Sequence, residues 1–363
     1  MPIIAVIGGV VLAIAICEAL LWIIAPMPYH EWLVWEAEGH IRARPEPNQL
    51  IKTAAGYEVH INKYGFRGPD YEYEKKPGTL RIAVFGGSST FGFNASGEEK
   101  TWPAALELKL KRRLGMPVEV INLGLPGFSS FNSKINYLCF GRAFQPDAII
   151  VYQTWNDIAR FRDQEVRPYK SFGSRPPRPF WHHIARATQL GRRGRQFLWM
   201  LMKRRLEPAY KAEEGTGVRA DRPVVPQAFV WERKNFEDFV NLARSDGVLS
   251  ILVSQASLAS PESITDPDVR MAIIGGGKTA NMTISLIMDT WSKISAIIED
   301  VARQDNAIFV DGYDAVPHNL EYMADLVHLH DAGNELLAET IANVLLDDPR
   351  FRELANRVAA EKQ

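Results

Sequence analysis

The chain is poor in cysteine, in net charge and in clustered metal ligands, and each shortage removes a class of function. Only two of its 363 residues are cysteine. Cys17 lies in an apolar amino-terminal run and Cys139 far along the chain, so no intramolecular disulfide is expected. The 42 Lys and Arg nearly balance 43 Asp and Glu, for a net charge of −1. Such a balance argues against a general role on nucleic acid. His182 and His183 are adjacent, but no carboxylate or cysteine stands at ligand spacing, so neither a metal nor a cofactor is expected. Basic residues are also missing around the amino-terminal run until Arg42 and Arg44. The positive-inside rule therefore sets no orientation, and the basic leader of a cleaved signal peptide is lacking.

What is there is a set of apolar, β-branched runs at 80–86, 117–122, 147–153, 248–255 and 307–311, separated by helix-period segments near 101–114, 231–245, 282–304 and 331–347. Strands alternating with helices imply a parallel sheet covered on both faces. The predicted fold is α/β: a flavodoxin-like three-layer α/β/α sandwich on a parallel five-stranded sheet, in the order 2-1-3-4-5. In that order the first and third strands are neighbours at the switch point where ligands bind. Asp331 is the expected cap of the last helix, with Gly333 just inside it.

Four short stretches carry the residue types of an acyl-transfer site. They are Gly-Gly-Ser-Ser-Thr at 86–90, Pro126-Gly127, Asn156-Asp157, and Asp325-Leu-Val-His328. Ser88 sits where the chain leaves the first strand, at the carboxyl end where open sheets place their chemistry. A serine hydroxyl needs a base to take its proton and a third group to orient that base. Asp and His three residues apart in one turn can supply both, the carboxylate meeting Nδ1 and leaving Nε2 for the serine. His330, two residues further on, is the rival base, but a pairing with Asp325 in the same turn favours His328. Each stretch alone has a bland reading: a phosphate cradle or plain turn at 86–88, a turn at Gly127, and helix caps at Asn156-Asp157 and at Asp325. Their order, three after apolar strands and one before the last predicted helix, is what favours chemistry.

That order resembles the SGNH (GDSL-type) serine hydrolases, over roughly residues 80–345. The resemblance implies Ser88 as nucleophile, His328 as general base and Asp325 as its orienting carboxylate. It also implies an oxyanion hole made by the Ser88 amide, the Gly127 amide and the Asn156 side chain. Two positions depart from the family pattern: Gly87 stands where Asp is usual, and Thr154-Trp155 precede Asn156 where Gly-x is usual. Asn62, Gly65 and Arg67 resemble the segment that precedes these blocks in membrane-anchored bacterial relatives; Arg67 is read as a structural ion-pair former that could border the site. The implied activity is hydrolysis of an O-acyl ester, with acetylated envelope carbohydrate as a candidate substrate. The alternatives are an O-acyltransferase working with a membrane acyltransferase partner, and a non-catalytic scaffold subunit of a membrane complex. Phe91, Phe93, Phe128 and Trp155 are candidates for an acyl pocket or for the core and its rim.

From Ile3 to Ala25 the chain is almost wholly apolar, with Glu18 as its only charge. That stretch is about 34 Å long as a helix, against about 30 Å of hydrocarbon. It reads as an uncleaved transmembrane anchor in contact with lipid, followed by interfacial Tyr29, Trp32 and Trp35. Glu18 would cost ~2–3 kcal/mol at the bilayer centre, which suggests a partner in the membrane. The resemblance places the catalytic domain outside the cytoplasm, in a periplasm-like space. The expected organisation is an anchor at 1–27, a juxtamembrane segment and hairpin at 28–78 with turns at Gly56 and Gly65, the hydrolase domain at 79–350 and a tail at 351–363. An insert at about 160–228, bounded by Pro-rich stretches, carries a basic amphipathic segment over 180–205. It reads as a solvated lid or as a contact for anionic lipid.

Overall fold

The structure is a computed structural model that describes residues 2–24, 44–45, 47–52, 56–158, 188–191, 193–194, 197, 224–280 and 282–361. Most of the expected insert and the aromatic residues Tyr29, Trp32 and Trp35 lie outside the described residues, as do His182 and His183. The chain divides into two compact units, Met1–Glu31 with Phe172–Gly217, and Trp32–Ser171 with Val218–Gln363.

The larger unit is built on five parallel strands, β3 (Leu80–Gly86), β4 (Val118–Asn122), β5 (Ala148–Tyr152), β6 (Leu249–Val253) and β7 (Ile308–Val310). Their order in the sheet is β4-β3-β5-β6-β7, which is the expected 2-1-3-4-5. Every residue of β3 and of β5 is buried, as suits central strands covered on both faces. The register of β3 on β5 pairs Gly86 with Tyr152. A side chain at Gly86 would fall on the Tyr152 carbonyl and on Thr90. The two strands can thus run to the same level, and the turns that follow them emerge side by side.

Helices cover both faces. Alpha-3 (Trp102–Leu114) starts at Thr101, whose side chain accepts from the Ala104 amide, and stops at Gly115 in the left-handed region. On the same side lies α9 (Asp331–Asp347). Lys109 joins the two by ion pairs to Glu335 (2.5 Å) and Glu339 (2.8 Å). The other layer holds α4 (Ser130–Cys139), α6 (Pro226–Ser245) and α8 (Ile284–Gln304), whose buried faces include Tyr137, Phe236, Phe239, Trp291 and Ile298. Between α6 and α8 the chain forms α7 (Pro267–Ala280). Two very short helices, α2 (Ser88–Phe91) and α5 (Trp155–Ile158), follow β3 and β5 directly.

Two expectations are corrected here. The tail expected at 351–363 is a packed helix over most of its described residues: α10 (Pro349–Ala360) starts on the Asp348 side chain and buries Phe351, Leu354, Ala355 and Val358. These recur at helical spacing, so the segment has an apolar face to cover. Asp331 is not the cap of α9 either; His330 holds that position without a side-chain cap bond. Asp331 is the first helical residue, and its carboxylate accepts from the backbone N–H of Ser96 at 2.9 Å and from the Ser96 hydroxyl.

Ahead of the sheet, β1 (Gln49–Lys52) and β2 (Glu58–Ile61) pair antiparallel, with Gly56 and Gly65 both at positive φ. Ile51, Val59 and Ile61 bury against Phe91, with Phe93 packed on the cluster. Arg67, itself buried, donates to the carbonyls of Gly92 (2.5 Å), Phe91 (3.2 Å) and Gly97 (3.1 Å) and pairs with Glu98 at 3.1 Å. Burial lowers the guanidinium from its ordinary value, against the opposing charge of Glu98. Arg67 thus holds the loop that follows α2.

In the smaller unit, α1 (Pro2–Ile24) is one helix over 23 residues. Its described side chains run unbroken over 8–24, and most of them are exposed. Among the described residues no helix is long and apolar enough to cross a membrane. The stretch read as an anchor thus forms a helix, and a membrane span is not shown. Glu18 accepts from the indole N–H of Trp22 at 3.0 Å and from the amides of Gln189 (2.5 Å) and Leu190 (3.0 Å). The chain itself thus supplies hydrogen-bond donors to that carboxylate.

Candidate active site

Ser88 is the first residue of α2, immediately beyond β3. Its Oγ lies 2.7 Å from Nε2 of His328, and Nδ1 of the same ring lies 2.6 Å from the Asp325 carboxylate. With the Nδ1 proton donated to Asp325, Nε2 is the acceptor and the serine hydroxyl donates to it. The second Asp325 oxygen accepts from the amides of Val327 (2.9 Å) and His328 (3.0 Å), which folds the Asp-x-x-His turn around its own carboxylate. Burial alone would raise the Asp325 carboxyl, but the hydrogen bond and charge of His328 and the two amides hold it below its ordinary 3.8. It therefore stays ionised at neutral pH, ready to balance a protonated imidazole.

The turn is pinned from beneath. Met323, Leu326, Val327 and Leu329 are buried, and Met323 pairs with Leu329 in an isolated antiparallel bridge. The Leu258 amide donates to the Leu326 carbonyl at 2.9 Å. His330 is exposed at the start of α9 and takes no part in this hydrogen-bond chain. Phe93 lies against the His328 ring, with centroids 5.5 Å apart.

Gly127 and Asn156 are the other two expected site residues. Gly127 has φ +76°, a conformation that favours glycine, and it follows Pro126 in the turn after β4. Asn156 lies in α5, beyond β5, and its Nδ2 donates to the Phe128 carbonyl at 2.7 Å. A side chain at Gly87 would fall on that same Nδ2. At the first departure from the family pattern, Gly87 thus leaves the room that the Asn156 amide occupies. At the second departure, the Thr154 carbonyl accepts from the amides of Asp157 (3.0 Å) and Ile158 (3.1 Å), and Trp155 stacks on Trp291 at 6.2 Å. Asp157 is buried and turns away from its own helix to accept from the Ser130 amide (3.1 Å) and hydroxyl (2.9 Å) at the start of α4. Of the candidate pocket aromatics, Phe91 and Phe128 are core, whereas Phe93 and Trp155 are half-buried.

Ser89 and Gln255, not among the expected site residues, are both buried and hydrogen-bonded to each other beside these turns. The available signal was a polar pair, Ser254-Gln255, immediately after a mostly apolar strand.

Residues 84–336 match the family model described as GDSL-like Lipase/Acylhydrolase family. No functionally curated protein matches the chain. Among solved structures, it is similar to the acetylxylan esterase Axe2 from Geobacillus stearothermophilus at 14% identity and TM-score 0.44, over 73% of this chain and 93% of that one. It is also similar to the lipase/acylhydrolase from Enterococcus faecalis at 16% identity and TM-score 0.43, over 77% of this chain and 96% of that one. These likenesses are too distant to carry a substrate across. The family match spans well over half of the chain, and the protein belongs to the GDSL-like lipase/acylhydrolase family and is a serine hydrolase.

Proposed function

We propose that the protein is a membrane-anchored esterase that cleaves an O-acyl ester through Ser88, His328 and Asp325. The observation that carries this reading is the unbroken hydrogen-bond chain from the Ser88 hydroxyl through His328 to Asp325. Ser88 Oγ attacks the ester carbonyl while Nε2 of His328 takes its proton, and the charge of Asp325 balances the imidazolium. The carbonyl oxygen becomes an anion held by the amides of Ser88 and Gly127 and by the Asn156 side chain. His328 returns the proton to the leaving alcohol, which departs and leaves an acyl-serine. Water, deprotonated by His328, attacks that ester; the acid leaves and Ser88 regains its proton.

Phe93, half-buried beside the His328 ring, offers apolar ring surface to the substrate. An acylated carbohydrate of the cell envelope is the substrate class we favour, its sugar C–H faces suited to aromatic rings. Helix α1, apolar but for Glu18, is assigned as the anchor, with the larger unit on the outer side of the membrane. Alkaline carbonate extraction of membranes from expressing cells tests the anchor: the full chain should stay with the membrane, and a chain starting near residue 44 should be released. Full release of the complete chain would refute it.

The activity test is hydrolysis of short and long p-nitrophenyl esters by the full chain, beside Ser88→Ala and His328→Ala. Activity lost in both variants supports the esterase reading, and the chain-length preference sizes the acyl group. Equal rates in all three proteins would contradict it. Release of product only when a sugar acceptor is added would instead favour the O-acyltransferase.

A further inference from the structure

The carboxyl end of β6 holds a buried amide that the chemistry above does not use. Gln255 is 4% exposed and stands just beyond the last residue of the strand. Its Oε1 accepts from the Trp155 backbone N–H at 2.8 Å, and its Nε2 donates to Ser89 Oγ at 3.0 Å. Ser89 Oγ in turn donates to the Val327 carbonyl at 2.8 Å. Each of these partners adjoins a residue of the site: Trp155 precedes Asn156, Ser89 follows Ser88, and Val327 precedes His328. The three come from three separate turns, and one side chain with a single hydroxyl relay joins all of them.

Gln255 is itself fixed. Its carbonyl accepts from the Trp291 indole N–H at 2.9 Å, and the next amide, Ala256, donates to the Tyr152 hydroxyl at 3.0 Å. The orientation of the amide is determined, because a flip would set the side-chain NH₂ against the Trp155 N–H. Backbone groups in this region have no solvent to fall back on, so the bonds hold the turns to a single geometry.

We propose that Gln255 is a positioning residue for the hydrolase reaction, which locks the nucleophile turn, the oxyanion turn and the base turn into mutual register through Trp155, Ser89 and Val327. The inference rests on the reading of Ser88, Asn156 and His328 as the reacting site. It predicts that Gln255 acts on the chemical step and not on substrate affinity, since none of its bonds reaches the space before Ser88. A misplacement of reacting groups by about 1 Å can cost roughly 10²-fold in rate.

The test uses the full chain and p-nitrophenyl acetate, with Gln255→Leu, Gln255→Glu, Ser89→Ala, Asn156→Ala and the Gln255→Leu/Asn156→Ala double variant, beside Ser88→Ala as control. Gln255→Leu is expected to lower kcat by roughly 10–10²-fold with KM changed by less than about twofold. In the double variant the losses should fall short of the product of the single losses, because removal of the Asn156 side chain leaves Gln255 less to position.

Gln255→Glu gives a readout that a merely structural role would not move. A protonated carboxyl can still accept from Trp155 and donate to Ser89, whereas the ionised form cannot donate, and burial favours the protonated form. Its kcat relative to wild type should therefore approach unity in acid and fall as pH rises, with far-UV circular dichroism unchanged. Ser89→Ala, the least disruptive change, should lower kcat in the same direction by a smaller factor. A folded Gln255→Leu protein with wild-type kcat, multiplicative losses in the double variant, or a pH-independent ratio for Gln255→Glu would overturn the proposal. If Ser88→Ala alone retains activity, the esterase reading and this inference fail together; if it is inactive while Gln255→Leu is not impaired, only the positioning role fails.

Discussion

The proposed base side and the proposed oxyanion side of the site are in different states of readiness. On the base side, Ser88, His328 and Asp325 are already joined by bonds of 2.7 and 2.6 Å, and the turn that carries two of them wraps around its own carboxylate. On the oxyanion side, one N–H of the Asn156 amide is engaged by the Phe128 carbonyl, and the amide is seated over a glycine that makes room for it. The base arm is local, set by residues three apart in one turn. The oxyanion arm is assembled from β3, β4 and β5 and depends on how their turns meet. The local arm can hold its geometry alone, whereas the assembled arm needs the sheet register and a buried link to hold it.

The comparison can be broken most severely at the base. His328→Ala is expected to lower kcat on p-nitrophenyl esters by roughly 10⁴–10⁶-fold, leaving only what the oxyanion donors and binding provide. Asp325→Asn should cost on the order of 10²–10⁴-fold, because an amide can turn the imidazole to the wrong tautomer. The downfield proton resonance of the His328–Asp325 hydrogen bond separates the arms: Asp325→Asn should abolish it and Asn156→Ala should leave it in place.

On the other side, Asn156→Ala should lower kcat by ~10²–10³-fold with the base arm intact. Gly87→Asp, which installs the residue usual in the family, should give a loss in the same direction by displacing Asn156, read from the same kinetics. The smallest effect is on stability. Because the folded Asp325 carboxyl is held below 3.8, it stabilises the fold above that value, and the contribution is lost as pH falls through the lower folded value. Solvent reaches this side chain, so the gain is about 1 kcal/mol or less. Urea midpoints of wild type and Asp325→Asn should differ near neutral pH and converge in strong acid.

Much of this contrast was legible before the structure. The five strands begin and end within about two residues of their apolar runs, because buried parallel strands leave a near-continuous signal. Asp325 and His328 were legible together, since a three-residue spacing fixes their geometry locally. Gln255 was not, because its partners lie about 100 and 166 positions away in sequence. The helix at Ser130–Cys139 went unread although Ser129 and Asn132 form a capping box there. The carboxyl-terminal helix was mistaken for a tail although Asp348-Pro349 marks its start. Asp331 was misplaced because its side chain answers to Ser96, a contact of the folded chain only.

The most direct measurement is rapid mixing of the full chain with p-nitrophenyl acetate, followed by acid quench and mass spectrometry of the Ser88 peptide. The account predicts a burst of nitrophenol and one acetyl group on Ser88, absent in Ser88→Ala and His328→Ala. Turnover without acetyl on Ser88, or acetyl on another residue that sustains turnover, would contradict it.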